Sequence, residues 1–226
     1  MLSIAENIEK VRQNIKTACE RSGRNYEDVT ILGVTKTVGV DDIMCAVNEG
    51  ICDLGENRVQ EFMEKYDKIP GVKWHIIGHL QTNKVKYIIG KTKLIHSVDT
   101  LKLAEEIERL SKKQNVTTDI LLEVNISGEE SKSGMSEGEI LPILEKIEEF
   151  SSVKVRGFMT MAPKFASEDE IRQIFRKLYK IFVDISRKKY NNISMDYLSM
   201  GMSSDYTVAA EEGANIVRIG SKIFKE

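Results

Sequence analysis

The chain has 226 residues, 41% of them hydrophobic and 30% charged, which suits one sizeable core and falls within the range of a single α/β barrel. Lys and Arg total 33 against 35 Asp and Glu, a net charge of -2, so no basic excess points to nucleic acid and no like-charged tail is present. Charges at Glu6, Glu9 and Lys10 break any apolar signal core, and nowhere do about 18 apolar residues run together as a membrane span requires.

The first element is a helix. Ile4, Ile8, Val11, Ile15 and Ala18 recur at steps of three and four and form one apolar stripe, which stops near Ser22-Gly23. Short apolar runs then alternate with amphipathic stretches. Strands are predicted over 30–34, 53–55, 74–78, 94–98, 120–125, 153–159, 197–200 and 215–219. Helices are predicted over 41–49, 57–67, 82–89, 100–113, 137–150, 168–189 and 204–212. The longest carries Ile171, Ile174, Phe175, Leu178, Phe182 and Ile185 on one face. Eight strands separated by helices, with no change of texture and no Gly/Ser-rich linker, predict a single (β/α)₈ TIM-type barrel over 1–226 with an extra N-terminal helix. A doubly wound open sheet is the runner-up, weakened by the absence of GxGxxG after the first strand and of GxxxxGK[ST] anywhere. Cys19, Cys45 and Cys52 are odd in number and lack CxxC spacing. They read as buried free thiols of a reducing compartment, and the expected location is the cytoplasm.

In such a barrel, function gathers where the strands end at their C-termini. Leu32, Val34 and Lys36 share one face of the first strand, so the lysine amine continues an interior row into the top of the barrel. Desolvation there lowers a lysine pKa and frees the amine to attack carbonyls, whereas a lysine bending out to solvent has no such role. Gly201, Ser203, Ser204, Gly220 and Ser221 follow strands seven and eight, the usual phosphate site of this fold. Arg218 shares a face with Ile216 and Gly220 and points inward. An interior lysine, a phosphate cradle and an inward arginine together suit a phosphorylated aldehyde held covalently. His75, His79 and His96 lack metal-ligand spacing and are expected in satisfied polar or barrel-rim positions. Lys84, Lys132 and Lys164 are alternative amines on loops, and Trp74 is expected to pack rather than stack on a ligand.

The segments GVTKTV (33–38), GENRVQE (55–61), WHIIGHLQTNK (74–84), HSVD (96–99), EVNISGEESKSG (123–134), LSMGMSSDY (198–206) and VRIGSKIF (217–224) resemble the YggS/PROSC family of pyridoxal 5'-phosphate (PLP) homeostasis proteins. The resemblance runs from about residue 5 to 224. It implies a barrel like the N-terminal domain of alanine racemases, with PLP as cofactor. Lys36 is then the aldimine lysine and Asn57 lies beside the ring. Ser203, Gly220 and Ser221 hold the phosphate, and Arg218 faces the pyridine nitrogen. The chain closes IFKE where the family continues IFG and a basic residue, which bears on the closing turn more than on the site. An arginine opposite the ring nitrogen leaves that nitrogen unprotonated and the ring a weak electron sink.

The expected function is therefore to hold PLP as a Schiff base and take part in its intracellular supply, without catalytic turnover. The expected acceptors are PLP-dependent apo-enzymes, and a monomer is expected. A PLP-dependent racemase or decarboxylase is the alternative. Barrel-type enzymes of that kind carry an additional β domain, which this chain is expected to lack, and a second acid/base that neither Tyr197 nor Tyr206 evidently supplies. A class I aldolase is a third reading, weakened because the sixth strand, VKVRGFMTM, has no lysine inside it after Lys154.

Overall fold

A computed structural model describes residues 3–129 and 132–225. Helix α1 (Ile4–Ser22) opens with a capping box between Ser3 and Glu6 and closes on Gly23 in the left-handed conformation. The stripe seen in the sequence is its buried face: Ile8, Val11, Ile15, Ala18 and Cys19. Eight parallel strands follow: β1 (Thr30–Val34), β2 (Asp53–Glu56), β3 (Lys73–Ile76), β4 (Leu94–Val98), β5 (Thr118–Glu123), β6 (Val153–Met159), β7 (Ile193–Ser199) and β8 (Ile216–Ile219). They close in sequence order, and β8 pairs with β1, so among the described residues the barrel has no open strand edge.

Helices α2 (Val40–Asn48), α3 (Val59–Tyr66), α4 (Leu101–Gln114), α5 (Glu137–Ile147), α6 (Glu168–Ser186) and α7 (Tyr206–Glu211) join the strands, and the single turn α8 (Ser221–Phe224) follows β8. Between β3 and β4 the link is a 3₁₀ segment, Thr82–Tyr87, where the sequence suggests an α-helix. The larger apolar cluster lies between strands and helices. A smaller one fills the barrel with Leu32, Val34, Ile77, Leu94, Leu121, Met159 and Ile216. Strand β7 begins four residues before the expected Tyr197 because Ser194 and Asp196 interrupt its apolar run; Asp196 is exposed and paired with Arg156. Of the cysteines only Cys19 is buried. Cys45 and Cys52 are free and exposed, contrary to expectation, because each falls on the outer side of the α2–β2 region rather than on its apolar stripe. Among the described residues no helix is long and apolar enough to cross a membrane.

Helix α1 packs on α7 and α8. The Asn7 amide donates to Ile223 O at 3.1 Å, and the Asn14 amide to the Tyr206 hydroxyl at 2.8 Å. The added helix therefore braces the two elements that follow strands β7 and β8.

Candidate functional site at the strand C-termini

The chain leaves β1 at Val34 and enters a turn at Lys36-Thr37. Leu32 and Val34 are buried as the interior row requires, but Lys36 is exposed. The amine continues that row to the mouth of the barrel without being desolvated there, because the turn begins at Lys36 itself. Thr37 sits at φ 59°, a left-handed conformation unusual for a β-branched residue and costing about 1–3 kcal/mol. Its backbone N–H donates to Glu61 Oε2 at 3.0 Å. Beneath it the Lys65 ammonium donates to Thr35 O and to Glu56 Oε1, each at 2.7 Å, and Thr35 Oγ1 donates to Glu56 Oε1 at 2.6 Å. The lysine turn is thus tied to α3 through a buried ion pair. Burial pushes the Glu56 carboxyl up, against the lowering influence of Lys65 and Thr35.

Asn57, half-buried, follows β2. Its backbone comes so close to Gly78 that a Cβ there would lie 2.4 Å from Asn57 O, so only glycine allows the two loops to meet. After β7, Gly201 takes φ 90°, and a Cβ there would meet the Ala209 Cβ at 2.5 Å. Its carbonyl accepts from the Arg218 N–H at 3.0 Å, and Asp205 accepts from the Met202 N–H. Ser203 Oγ accepts from the Gly220 N–H at 3.3 Å and the Lys222 N–H at 3.5 Å, joining the loops after β7 and β8.

These residues share one cleft of about 680 Å³, a volume suited to a small cofactor. Lys36, Asn57, Ser203, Arg218, Gly220 and Ser221 all line it. Sequence reasoning did not assign Lys222 and Lys225 to it, nor Lys164 beyond its being a loop amine. With Lys36 and Arg218 they give the lining five cationic side chains, and no carboxylate is among the described residues of that lining. The field inside favours an anion.

Arg218 is 3% exposed. Its guanidinium donates to Ser199 Oγ at 2.7 Å and Thr160 O at 2.9 Å. Burial pulls its pKa down to about 10, against the raising influence of Asp205 and Glu123, so it remains a cation at neutral pH. Behind it lies a polar chain that the sequence did not reveal. Ser199 Oγ is 2.9 Å from His96 Nδ1, His96 Nε2 is 2.9 Å from His75 Nδ1, and His75 Nε2 is 3.0 Å from Asp53 Oδ1. His75 and His96 are satisfied and buried, bonded to each other, to Asp53 on the adjoining β2 and to Ser199 across the barrel on β7.

His79 stands 3.4 Å from Asp99 and does not line the cleft. Trp74 is buried and packs edge-on against Phe62 at 5.7 Å, as expected. Lys132 belongs to a neighbouring groove of about 720 Å³ beside Phe165, which shares Lys164 with the cleft. Among the described residues no cluster of three or more His, Cys, Asp or Glu side chains is arranged for a metal ion.

The barrel is of the class described as the alanine racemase N-terminal domain, which residues 7–226 match. A pyridoxal phosphate homeostasis protein of Aquifex aeolicus is 43% identical over 227 residues, 100% of this chain and 99% of that one. The chain belongs to the pyridoxal phosphate homeostasis protein family. Among solved structures, an unknown protein from Bifidobacterium adolescentis superposes with a TM-score of 0.91 at 34% identity, covering 98% of this chain and 94% of that one. PipY of Synechococcus elongatus, solved with PLP bound, superposes with a TM-score of 0.86 at 28% identity over 98% of this chain and 100% of its own.

Proposed function

We propose that the chain binds PLP in this cleft as a Schiff base on Lys36, keeps the reactive aldehyde out of solution and supplies it to PLP-dependent apo-enzymes. The observation that carries the reading is the Lys36 amine, at the end of the interior row of β1, sharing a cation-lined cleft with no carboxylate among its described residues. Attack of the Lys36 amine on the aldehyde carbon forms the C=N bond and releases water, and addition of water reverses it. The amine lies at an exposed turn, which suits a bond that must be made and broken. On this reading Ser203, Gly220 and Ser221 take the phosphate, Asn57 lies along the ring and Arg218 faces the ring nitrogen. The PLP-bound PipY structure and the name of the Aquifex relative support the choice of ligand. The carrier works as a monomer in a reducing cytoplasm, in keeping with its free cysteines.

Titration of the protein with PLP and with unphosphorylated pyridoxal, followed by visible absorbance, tests this. Several charge-assisted hydrogen bonds to phosphate, at about 1.5–3 kcal/mol each before losses, make PLP at least about tenfold tighter. Equal affinity for the two would refute the phosphate cradle.

A further inference from the structure

Five buried or half-buried side chains form one hydrogen-bonded line through the barrel interior. It starts at Asp53, the first residue of β2, passes His75 on β3 and His96 on β4, crosses to Ser199 on β7 and ends at Arg218 on β8. Every link lies between 2.7 and 3.0 Å. His96 and Ser199 are fully buried, and His75 and Arg218 are 3% exposed. Arg218 lines the cleft, whereas the other four do not. The proposed function leaves all four without a role.

The two ends settle which way the hydrogens point. A guanidinium only donates, so Ser199 Oγ accepts from Arg218, and among its described side-chain contacts His96 Nδ1 is the acceptor open to the hydroxyl's own hydrogen. His96 then carries its hydrogen on Nε2 and donates to His75 Nδ1, and His75 donates from Nε2 to Asp53. The opposite order would aim a nitrogen lone pair at the Asp53 carboxylate and leave the Ser199 hydrogen without this acceptor. Burial pushes the Asp53 carboxyl up, but His75 and Lys73 outweigh it and the net shift is down, so this end is an anion. Burial lowers both histidines, so each is a neutral ring with one hydrogen to place.

We infer that Asp53, His75, His96 and Ser199 are positioning residues. They form a relay of fixed polarity that holds the Arg218 guanidinium in one orientation toward the ring nitrogen of the bound cofactor. The polarised chain links the anion at one end to the cation at the other, and its bonds reinforce one another in the low dielectric of the barrel. Thr160 O clamps the second guanidinium nitrogen, leaving Arg218 little freedom except toward the cleft. The inference rests on the proposed PLP site for its purpose, but the relay itself is a property of the protein alone.

Two measurements separate these. Nitrogen-15 NMR of histidine-labelled protein with no PLP added reads the tautomers directly, and both His75 and His96 should carry hydrogen on Nε2 alone. Hydrogen on Nδ1 of either ring overturns the relay, whatever the protein binds. PLP titration then compares wild type with Ser199→Ala, which cuts the link to Arg218, and with Asp53→Asn, which removes the charge at the end away from the cleft. Ser199→Ala should weaken PLP binding by about tenfold, the loss of one misaligned charge-assisted hydrogen bond. Asp53→Asn should leave the protein folded, since the residue is only half-buried, yet move the pH at which the visible band of bound PLP changes. A merely structural Asp53 would leave that pH unmoved, and such a result overturns the positioning role. Failure of wild type to take up PLP would instead sink the functional reading and leave the tautomer result standing.

Discussion

Glu123 ends β5 with 3% of its surface exposed and Asp99, Arg218 and His79 as charged neighbours. Burial first, then Asp99, raise its pKa from 4.5 to about 7, more than Arg218 and His79 lower it. Below the unfolded value the carboxyl is protonated in both states, and the stability it contributes is fully present. As pH rises through 7 the folded protein must bury a carboxylate, and that contribution is lost. Glu123→Gln is neutral throughout, so its advantage over wild type should grow between about pH 5 and about pH 8, by about 2–4 °C in Tm for each kcal/mol. Thermal melts at both pH values check this; a gap that does not change with pH would show that Glu123 does not titrate there. At the same scale the sequence was most informative about Lys36, Arg218 and the 203 and 220–221 segments, because strand period and fold position alone bring them to one cleft. It was silent on the hydrogen bond between His96 and Ser199, which joins residues 103 apart. It also misjudged the surroundings of Lys36, since period says which face a residue takes and not where the strand gives way to a turn.

Among elements, α3 is coupled to β1 and β2 by Lys65, whose ammonium bonds to Thr35 O and Glu56 Oε1 behind the turn that carries Lys36. Among the described residues Glu56 Oε2 has no hydrogen-bond partner, so this buried carboxylate is compensated at Oε1 alone, by the Lys65 ammonium and the Thr35 hydroxyl, and Lys65 is the one charge there. Lys65→Met should therefore lower the free energy of unfolding by about 3 kcal/mol, while adding Glu56→Leu to it should recover most of the loss. Denaturant unfolding of the single and double variants reads both effects, and a single-variant loss below about 1 kcal/mol would mean the pair is dispensable. The sequence showed α3 and β2 as elements because their apolar residues keep period. The pairing of residues 56 and 65 leaves no such trace, since neither lies on an apolar stripe. The missed start of β7 has the same origin: Ser194 and Asp196 face away from the core and dilute the apolar signal.

For the whole molecule, the barrel was legible because eight apolar runs alternate with amphipathic stretches, and because closure needs no further information once strand order follows sequence. What the cleft does with PLP depends on its wall. An arginine facing the ring nitrogen makes the ring a weak electron sink, and no tyrosine, histidine or carboxylate is among the described residues lining the cleft to serve as a second proton carrier. We therefore expect no amino-acid turnover on the scale of an ordinary enzyme, about 1–10³ per second. Offering L- and D-amino acids in deuterated water and following α-proton exchange tests this. Exchange in that range, lost in Lys36→Ala, would favour a racemase or decarboxylase.

The central claim is the covalent bond to Lys36. Borohydride reduction of the PLP-loaded protein, followed by peptide mass mapping, addresses it without depending on any partner or activity. The account predicts one pyridoxyl group, on the peptide containing Lys36, and none on that peptide after Lys36→Ala. Recovery of the label only on Lys164, Lys222, Lys225 or another amine, with Lys36 unmodified in wild type, would contradict it.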